Sequence, residues 1–278
     1  MVAHSHSVPV QINMEREGKD ATSLEVERPP RIKVAVCATP WLSVPPSSYG
    51  GTEALIYDSL VNFHEQNVDY LLFTVGETRK NPTAEKLTGQ ISYHYERGQY
   101  DYIRNPDALF REAVHTIHFY KELEARIKNG ERFSLVHQHQ MFIGGLLAFG
   151  HRINLPHLVT MHGPIEDELT RDFLSSFEGE PGIYFAAISE NQRRHFPELP
   201  WIRTVYNGVN PEMFPLSEDK MDFLLNIGRI NPDKGQAHAV EVARTLGKTL
   251  IVAGNIEDQR YFDDQIAPYV TGRADLAG

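Results

Sequence analysis

Short apolar segments alternate with helix-like segments along most of the chain. Residues 32–38 form an apolar, β-branched run that stops before Pro40, and residues 52–61 then repeat apolar side chains at helical spacing. Further apolar runs of strand length occur at 70–75, 135–137, 157–161, 184–188 and 202–206, and helical stretches occur at 107–128 and 140–150. Because parallel strands require long crossover connections, this order predicts an α/β domain with a parallel sheet and helices on its faces.

The alternation of strand-like and helix-like segments is interrupted after residue 210 and then begins again. Pro211, Pro215 and several charged residues break the apolar runs between 210 and 222, as is typical of a boundary between domains. Beyond this point the predicted strands are 223–227 and 249–253, and the predicted helices are 236–246 and 258–266. Two strands bury little apolar surface and leave an open edge. We therefore predict a polar, disordered tail at 1–30, an α/β domain at 31–215 and an incomplete second α/β domain at 216–278.

Composition and charge narrow the classes of function. Of the 278 residues, 41% are hydrophobic and 23% are charged, which is typical of a soluble globular protein. The net charge of -10 disfavours nucleic acid and anionic membrane surfaces as partners. No apolar run reaches the ~18 residues of a membrane span, and residues 1–30 contain no signal-peptide core. A lone Cys37 inside an apolar run excludes an intramolecular disulfide, so we expect a cytoplasmic protein with a buried, inert thiol.

Two glycine turns follow predicted strands and precede predicted helices. Gly50 and Gly51 stand at the first turn, where free N–H groups and the helix dipole favour a phosphate or diphosphate. At the second turn, residues 228–235, Arg229 and Lys234 add donors for a diphosphate without a metal ion. The alternatives are a tight turn capped by Thr52 in the first case and a surface turn with solvated charges in the second.

Histidines form the third group of candidate residues. His162 follows the predicted strand 157–161, and ligands of open α/β sheets bind beyond the carboxyl ends of the strands. A purely structural histidine is the alternative. His137 and His139 suggest zinc, but no carboxylate or cysteine accompanies them at ligand spacing, so we predict no metal site. We interpret this pair as structural groups or as polar groups on the acceptor side.

Five motifs, taken together and in order, carry a family resemblance. They are Pro-Pro-x-x-Tyr-Gly-Gly-Thr-Glu at 45–53, Thr-Met-His-Gly at 160–163, Ala-Ile-Ser-Glu at 187–190, Tyr-Asn-Gly-Val at 206–209 and Gly-Arg-Ile-x-Pro-x-Lys-Gly at 228–235. The chain resembles, from about residue 31 to 267, the retaining glycosyltransferases of the GT-B fold that use nucleotide sugars, known as glycosyltransferase family 4 or group one. The resemblance implies two Rossmann-like domains, of which the second is partial here.

The resemblance also assigns roles to individual residues. Arg229 and Lys234 would bind the donor diphosphate and neutralise the leaving group in place of a metal ion, and His162 would bind the transferred sugar. Gly50, Gly51, Gly228 and Gly254 would complete the donor site, and Tyr49, Glu53 and His139 would lie on the acceptor side. No cofactor is expected besides the donor substrate. The implied partners are a nucleotide sugar and a hydroxyl-bearing acceptor.

The sequence departs from the family pattern at two places, of which the first bears on activity and the second is a mild change. Members of the family carry a pair of glutamates around a Pro-Phe-Gly-Leu-like loop that holds the ribose and the donor sugar, and this sequence stops before that segment. The family motif Asn-Gly-Val-Asp also ends in Asn210 here. We predict a truncated retaining glycosyltransferase. The alternative is a catalytically impaired fragment that binds nucleotide sugars or glycans and oligomerises or needs a completing partner; an epimerase of nucleotide sugars is a further alternative.

Overall fold

The computed structural model describes residues 31–140, 153–165 and 167–272. The predicted tail and most of the predicted helix at 140–150 lie outside these ranges. The chain divides into two compact units, of which the first ends at Asn210 and the second begins at Pro211. The sequence places the corresponding domain boundary after residue 215. Among the described residues, no helix is both long and apolar enough to cross a lipid bilayer.

The N-terminal unit is built on one seven-stranded sheet. Its strands are β1 (Ile32–Cys37), β2 (Val68–Thr74), β3 (Gln90–Tyr93), β4 (Leu135–Gln138), β5 (His157–Met161), β6 (Ile183–Ala187) and β7 (Trp201–Thr204). They are arranged in the order β3-β2-β1-β4-β5-β6-β7, and every neighbouring pair is parallel. The predicted α/β class with a parallel sheet is confirmed. The apolar runs locate six of these strands to within two residues, whereas β3 was not predicted.

The helices of this unit are α1 (Gly51–Phe63), α2 (Ala108–Lys128), α3 (Glu168–Ser175) and α4 (Glu190–His195). The last two are short, and a polar side chain caps each of them. The Asp167 carboxylate accepts from the backbone N–H of Thr170 at 2.8 Å, and the Ser189 hydroxyl accepts from that of Gln192 at 3.1 Å. Such caps satisfy backbone donors that have no partner within the helix.

The two faces of the sheet bury two separate apolar clusters. Because side chains of a strand alternate between faces, Val34 and Val36 of β1 pack in one cluster, with Ile56 of α1. Ala35 and Cys37 belong to the other cluster, with Phe119 of α2. The Cys37 thiol is buried, and burial raises its pKa well above the ordinary value. The sheet is therefore covered on both sides, as the pattern predicts.

The C-terminal unit contains a second, smaller parallel sheet. Strands β8 (Phe223–Ile227) and β9 (Thr249–Ala253) pair in register, and helices α5 (Gln236–Leu246) and α6 (Gln259–Gln265) accompany them. Its buried core consists of Ile230, Val240 and Ile266. The strands and α5 have the predicted bounds, and α6 begins one residue later because Asp258 caps it. On the strands, Leu225, Ile227 and Ile251 remain exposed.

Candidate functional site

The predicted site residues of the N-terminal unit lie beyond the carboxyl ends of its strands. Parallel strands bring these ends to one edge of the sheet, which is where ligands bind in open α/β folds. Gly50 belongs to the connection from β1 to α1, His139 follows β4, and His162 follows β5.

The structure joins three histidines into one cluster. His139 Nδ1 lies 2.9 Å from His162 Nε2, with ring centroids 5.2 Å apart. The His137 ring lies against His139 with centroids 4.0 Å apart, and His137 Nε2 is 2.9 Å from Thr160 Oγ1. We refer to His137, His139, His162 and Thr160 as the histidine cluster. Its members come from β4, β5 and the residues that directly follow them.

Burial keeps the histidine cluster uncharged. Removal from water lowers the pKa of His137 and of His162 to about 4, and it lowers the pKa of His139 well below the ordinary value. Neighbouring imidazoles lower the pKa of His137 and His139 further. Near neutral pH all three rings are therefore neutral. Each ring then offers one N–H donor and one nitrogen acceptor, which suits a hydroxyl group better than a phosphate.

The histidine cluster does not have the geometry of a metal site. Within the described ranges, no three or more His, Cys, Asp or Glu side chains are arranged to hold a metal ion. His139 Nδ1 and His162 Nε2 face each other in a hydrogen bond, so these two nitrogens are not directed at a common ion. The absence of a metal from the reaction stays a prediction.

A cavity of about 190 Å³ adjoins His162, between the ends of β5 and β6. Gln192 holds the two strand ends together: its Nε2 donates to the carbonyls of Met161 (3.0 Å) and Gly163 (2.9 Å), and its Oε1 accepts from the N–H of Ile188 (3.0 Å). Gln192 is not among the predicted site residues, although it lies just beyond the Ala-Ile-Ser-Glu motif. A larger cavity, of about 780 Å³, lies along α3, and no predicted site residue is among its described lining residues.

Gly50 and Gly51 differ in what surrounds them. Gly50 has a φ of 152°, and a Cβ on it would lie 2.7 Å from the Cβ of Pro46, so the turn requires glycine there. A Cβ on Gly51, the first residue of α1, would meet nothing within 4 Å. Open space therefore exists beside the N-terminus of α1, where free N–H groups favour an anion.

The two remaining acceptor-side candidates occupy unlike environments. The Tyr49 ring is partly exposed, with its centroid 6.2 Å from that of Tyr100. Glu53 is buried, and its carboxyl group accepts a hydrogen bond from the Thr39 hydroxyl. Burial raises the pKa of Glu53, and the Thr39 hydrogen bond acts against this. This contact connects α1 to the residues that follow β1.

The second predicted turn, at 228–235, contains charged side chains that are joined by hydrogen bonds. Arg229 Nη1 lies 2.6 Å from Glu257 Oε1, and the Asn231 amide donates to the other carboxylate oxygen of Glu257. Asn231 Oδ1 accepts from the backbone N–H of Lys234 at 3.2 Å, and Gln236 Nε2 donates to the carbonyl of Arg229 at 2.8 Å. The Lys234 side chain is exposed. Sequence reasoning missed Glu257, because no motif marks this residue.

Gly254 is required by the same turn. It has a φ of 153°, and a Cβ on it would lie 1.8 Å from the carbonyl oxygen of Gly228. The backbone N–H of Gly228 also donates to the carbonyl of Ala253 at 2.9 Å. The predicted donor residues Gly228, Arg229, Lys234 and Gly254 therefore belong to one local structure. Their role in binding stays a prediction.

Comparison with known proteins identifies the family. A family model described as Glycosyltransferase Family 4 matches residues 49–213. The chain belongs to glycosyltransferase family 4. No curated protein matches the chain. Gly50, Gly51, His139 and His162 lie within the matched span, whereas Arg229, Lys234 and Gly254 lie beyond it.

Two solved glycosyltransferase structures are similar to this family 4 chain, and one of them has a TM-score above 0.5. One is AviGT4, a glycosyltransferase involved in avilamycin A biosynthesis, with 19% sequence identity, a TM-score of 0.55 and coverage of 86% of this chain. The chain spans 61% of the length of AviGT4. Another is MurG of Acinetobacter baumannii, with 13% identity, a TM-score of 0.37, and coverage of 82% of this chain and 70% of MurG. The similarity to AviGT4 supports the predicted GT-B fold.

Proposed function

We propose that this glycosyltransferase moves a sugar from a nucleoside diphosphate sugar to an acceptor hydroxyl, with retention of configuration. The observation that carries the proposal is the turn at 228–235, where Arg229 and Lys234 precede the N-terminus of α5. A guanidinium, an ammonium group and free helix N–H groups are the donors that a diphosphate requires. Retention is the outcome that the family resemblance implies.

The charges of this turn would act most strongly as the bond to the sugar breaks. The departing nucleoside diphosphate gains negative charge, and Arg229 and Lys234 would stabilise it where a metal ion does so in other enzymes. Glu257 holds the Arg229 guanidinium at 2.6 Å, so Arg229 is already oriented before a ligand arrives. The leaving phosphate would then help to accept the proton of the attacking hydroxyl group.

Within the histidine cluster, His162 would bind the transferred sugar. His162 adjoins a cavity whose lining includes the polar side chains of Ser189 and Asn191. Because the rings are uncharged near neutral pH, they would bind hydroxyl groups without attracting a second phosphate. Tyr49, Glu53 and His139 are proposed for the acceptor side, and no metal ion or further cofactor is assigned a role.

A second candidate function is a binding protein without turnover. The exposed side chains Leu225, Ile227 and Ile251 on the small sheet favour it, because apolar side chains on a two-stranded sheet favour association with another chain. Such a protein would bind a nucleotide sugar or a glycan as an oligomer or with a partner. Binding without hydrolysis or transfer would support this alternative.

Calorimetric titration with UDP, GDP and ADP, with assays of donor hydrolysis on the same samples, tests the proposal. We expect one of these nucleotides to bind, and Arg229→Ala or Lys234→Ala to weaken binding by about 1.5–3 kcal/mol each. Arg260→Ala is the matched control, because Arg260 is exposed on α6 of the same unit. Unchanged dissociation constants in both site variants would contradict the proposed diphosphate site.

A further inference from the structure

The hydrogen bond between His139 and His162 joins two neutral rings, and this restricts where their protons lie. Because His139 Nδ1 and His162 Nε2 are 2.9 Å apart, one of the two nitrogens carries the proton and the other accepts it. A neutral imidazole has a single N–H, so the choice at this bond also fixes the second nitrogen of each ring. The tautomers of the two histidines are therefore coupled.

The neighbouring groups hold His139 in place for this bond. Its backbone N–H donates to the carbonyl of Cys37 at 3.0 Å, and its side chain is buried. His137 packs on the His139 ring with its plane tilted by 42°, and His137 Nε2 is directed at Thr160 Oγ1. His137 therefore contacts His139 without competing for Nδ1. Burial lowers the pKa of all three histidines, which keeps the pair neutral.

We propose that His139 is a positioning residue that holds His162 in its Nε2–H tautomer. In this arrangement His162 Nε2–H donates to His139 Nδ1. Both rings then carry their proton on Nε2, which is the more stable position in a neutral histidine side chain. The reverse direction would place both protons on Nδ1, the less stable position. His162 Nδ1 is left as a hydrogen-bond acceptor.

The tautomer determines which ligand groups His162 recognises. An acceptor nitrogen binds a hydroxyl group that donates its proton, and it gives no hydrogen bond to an ether oxygen or to fluorine. This part of the inference rests on the proposed function, in which His162 contacts the transferred sugar beside the cavity of about 190 Å³. His139 would thus select donors whose sugar presents a free hydroxyl group to His162.

Nitrogen-15 NMR of the full-length chain tests the tautomer directly, without a ligand. We expect His162 Nε2 to give a protonated-type resonance, His162 Nδ1 an unprotonated-type resonance, and a coupling to pass from His162 Nε2 to His139 Nδ1. His139→Gln and His64→Gln assign the signals, because His64 is exposed at the end of α1. A proton on His162 Nδ1, or averaging between tautomers, would overturn the proposal.

Binding measurements test the consequence for ligands. His139→Leu removes the acceptor, and we expect the dissociation constant of a nucleoside diphosphate sugar to rise roughly three- to tenfold, while that of the nucleoside diphosphate stays unchanged. His139→Gln, whose amide oxygen can accept from His162 Nε2–H, should restore the affinity. Equal affinities of the wild type and His139→Leu for the nucleoside diphosphate sugar would overturn the proposal that His139 affects ligand recognition by His162. If the wild type binds neither ligand, the proposed function fails and the NMR result still decides the tautomer.

Discussion

The histidine cluster of the N-terminal unit and the charged turn of the C-terminal unit differ in charge and therefore in how they can bind a ligand. His139 of the cluster is buried, His137 and His162 are half-buried, and all three rings are neutral near pH 7, so they recognise a ligand only through the direction of their hydrogen bonds. The turn carries Arg229 and the exposed Lys234, with the Glu257 carboxylate beside them. A positive charge attracts an anion from almost any direction. A neutral imidazole binds only a group that is placed along one of its hydrogen bonds. This difference agrees with our proposal that the first unit binds the sugar and the second binds the diphosphate.

Acidification should destabilise the N-terminal unit more than the C-terminal unit, and this is the largest effect that we expect. Burial lowers the pKa of His115 to about 3 and that of His137, His157 and His162 to about 4, with His139 also well below its ordinary value. Between about pH 6.5 and pH 4 the unfolded chain binds more protons than the folded chain, so stability falls as the pH falls. From pH 6.5 to 5 we expect the free energy of unfolding to fall by about 1.5 kcal/mol for each histidine that stays neutral in the folded state.

Tryptophan fluorescence during urea unfolding would measure this loss, because Trp41 and Trp201 both lie in the N-terminal unit. Protonation of Glu53 has the opposite effect on stability. Burial raises the pKa of Glu53, so the folded chain binds this proton more readily than the unfolded chain does. His238→Gln is the control, because this exposed histidine lies in the C-terminal unit, whereas both tryptophans lie in the N-terminal unit. A free energy of unfolding that is constant from pH 6.5 to 5 would show that the buried histidines take up protons in the folded state.

Gly254→Ala should damage the C-terminal unit selectively. The new Cβ would lie 1.8 Å from the carbonyl oxygen of Gly228, and the φ of 153° is unfavourable for alanine. We expect a destabilisation of this unit by about 3 kcal/mol, seen as faster amide hydrogen exchange in β8 and β9. Gly272→Ala is the matched control, since nothing lies within 4 Å of the added Cβ. Equal exchange rates in the two variants would contradict the close contact at Gly254.

The sequence predicted regular elements better than contacts. The bounds of β5, β8 and β9 agree with the apolar runs because most residues of each strand are hydrophobic. Strand β3 was missed because Gln90–Tyr93 contains a single aliphatic residue, Ile91, and lies at the edge of the sheet. An edge strand pairs on one side only and needs less apolar surface. Local composition therefore carries little signal for such a strand.

Contacts within the candidate site depend on pairing between distant segments. His139 and His162 were each noticed in the sequence, but their hydrogen bond joins positions 23 residues apart. It depends on the parallel register of β4 and β5, in which His137 pairs with Leu158. The Arg229 partner Glu257 is similarly distant, at 28 residues. No spacing rule within one element predicts either contact.

Glu257→Gln should remove the negative charge beside Arg229 and one of the two hydrogen bonds that the Glu257 carboxylate accepts. The Glu257 carboxylate holds Arg229 Nη1 at 2.6 Å, and it competes with a bound diphosphate for the guanidinium. A neutral amide competes less, so we expect nucleoside diphosphate binding to strengthen by about 1 kcal/mol in calorimetric titration. Asp263→Asn on α6 is the control. Weaker binding by Glu257→Gln would mean that the orientation of Arg229 by Glu257 matters more for the ligand than the competition for the guanidinium, contrary to our expectation.

Gly51→Ala should change the free energy of unfolding least among these variants, and it should weaken the binding of a ligand. A Cβ at Gly51 meets nothing within 4 Å, and alanine favours helices, so we expect the free energy of unfolding to change by less than about 0.5 kcal/mol. Gly50→Ala next to it should be strongly destabilising, because its Cβ would lie 2.7 Å from that of Pro46. If the open space at Gly51 admits the donor or the acceptor, the added methyl group should weaken that ligand although the fold is intact. Unchanged donor binding and transfer in Gly51→Ala would show that the space beside α1 is not part of the site.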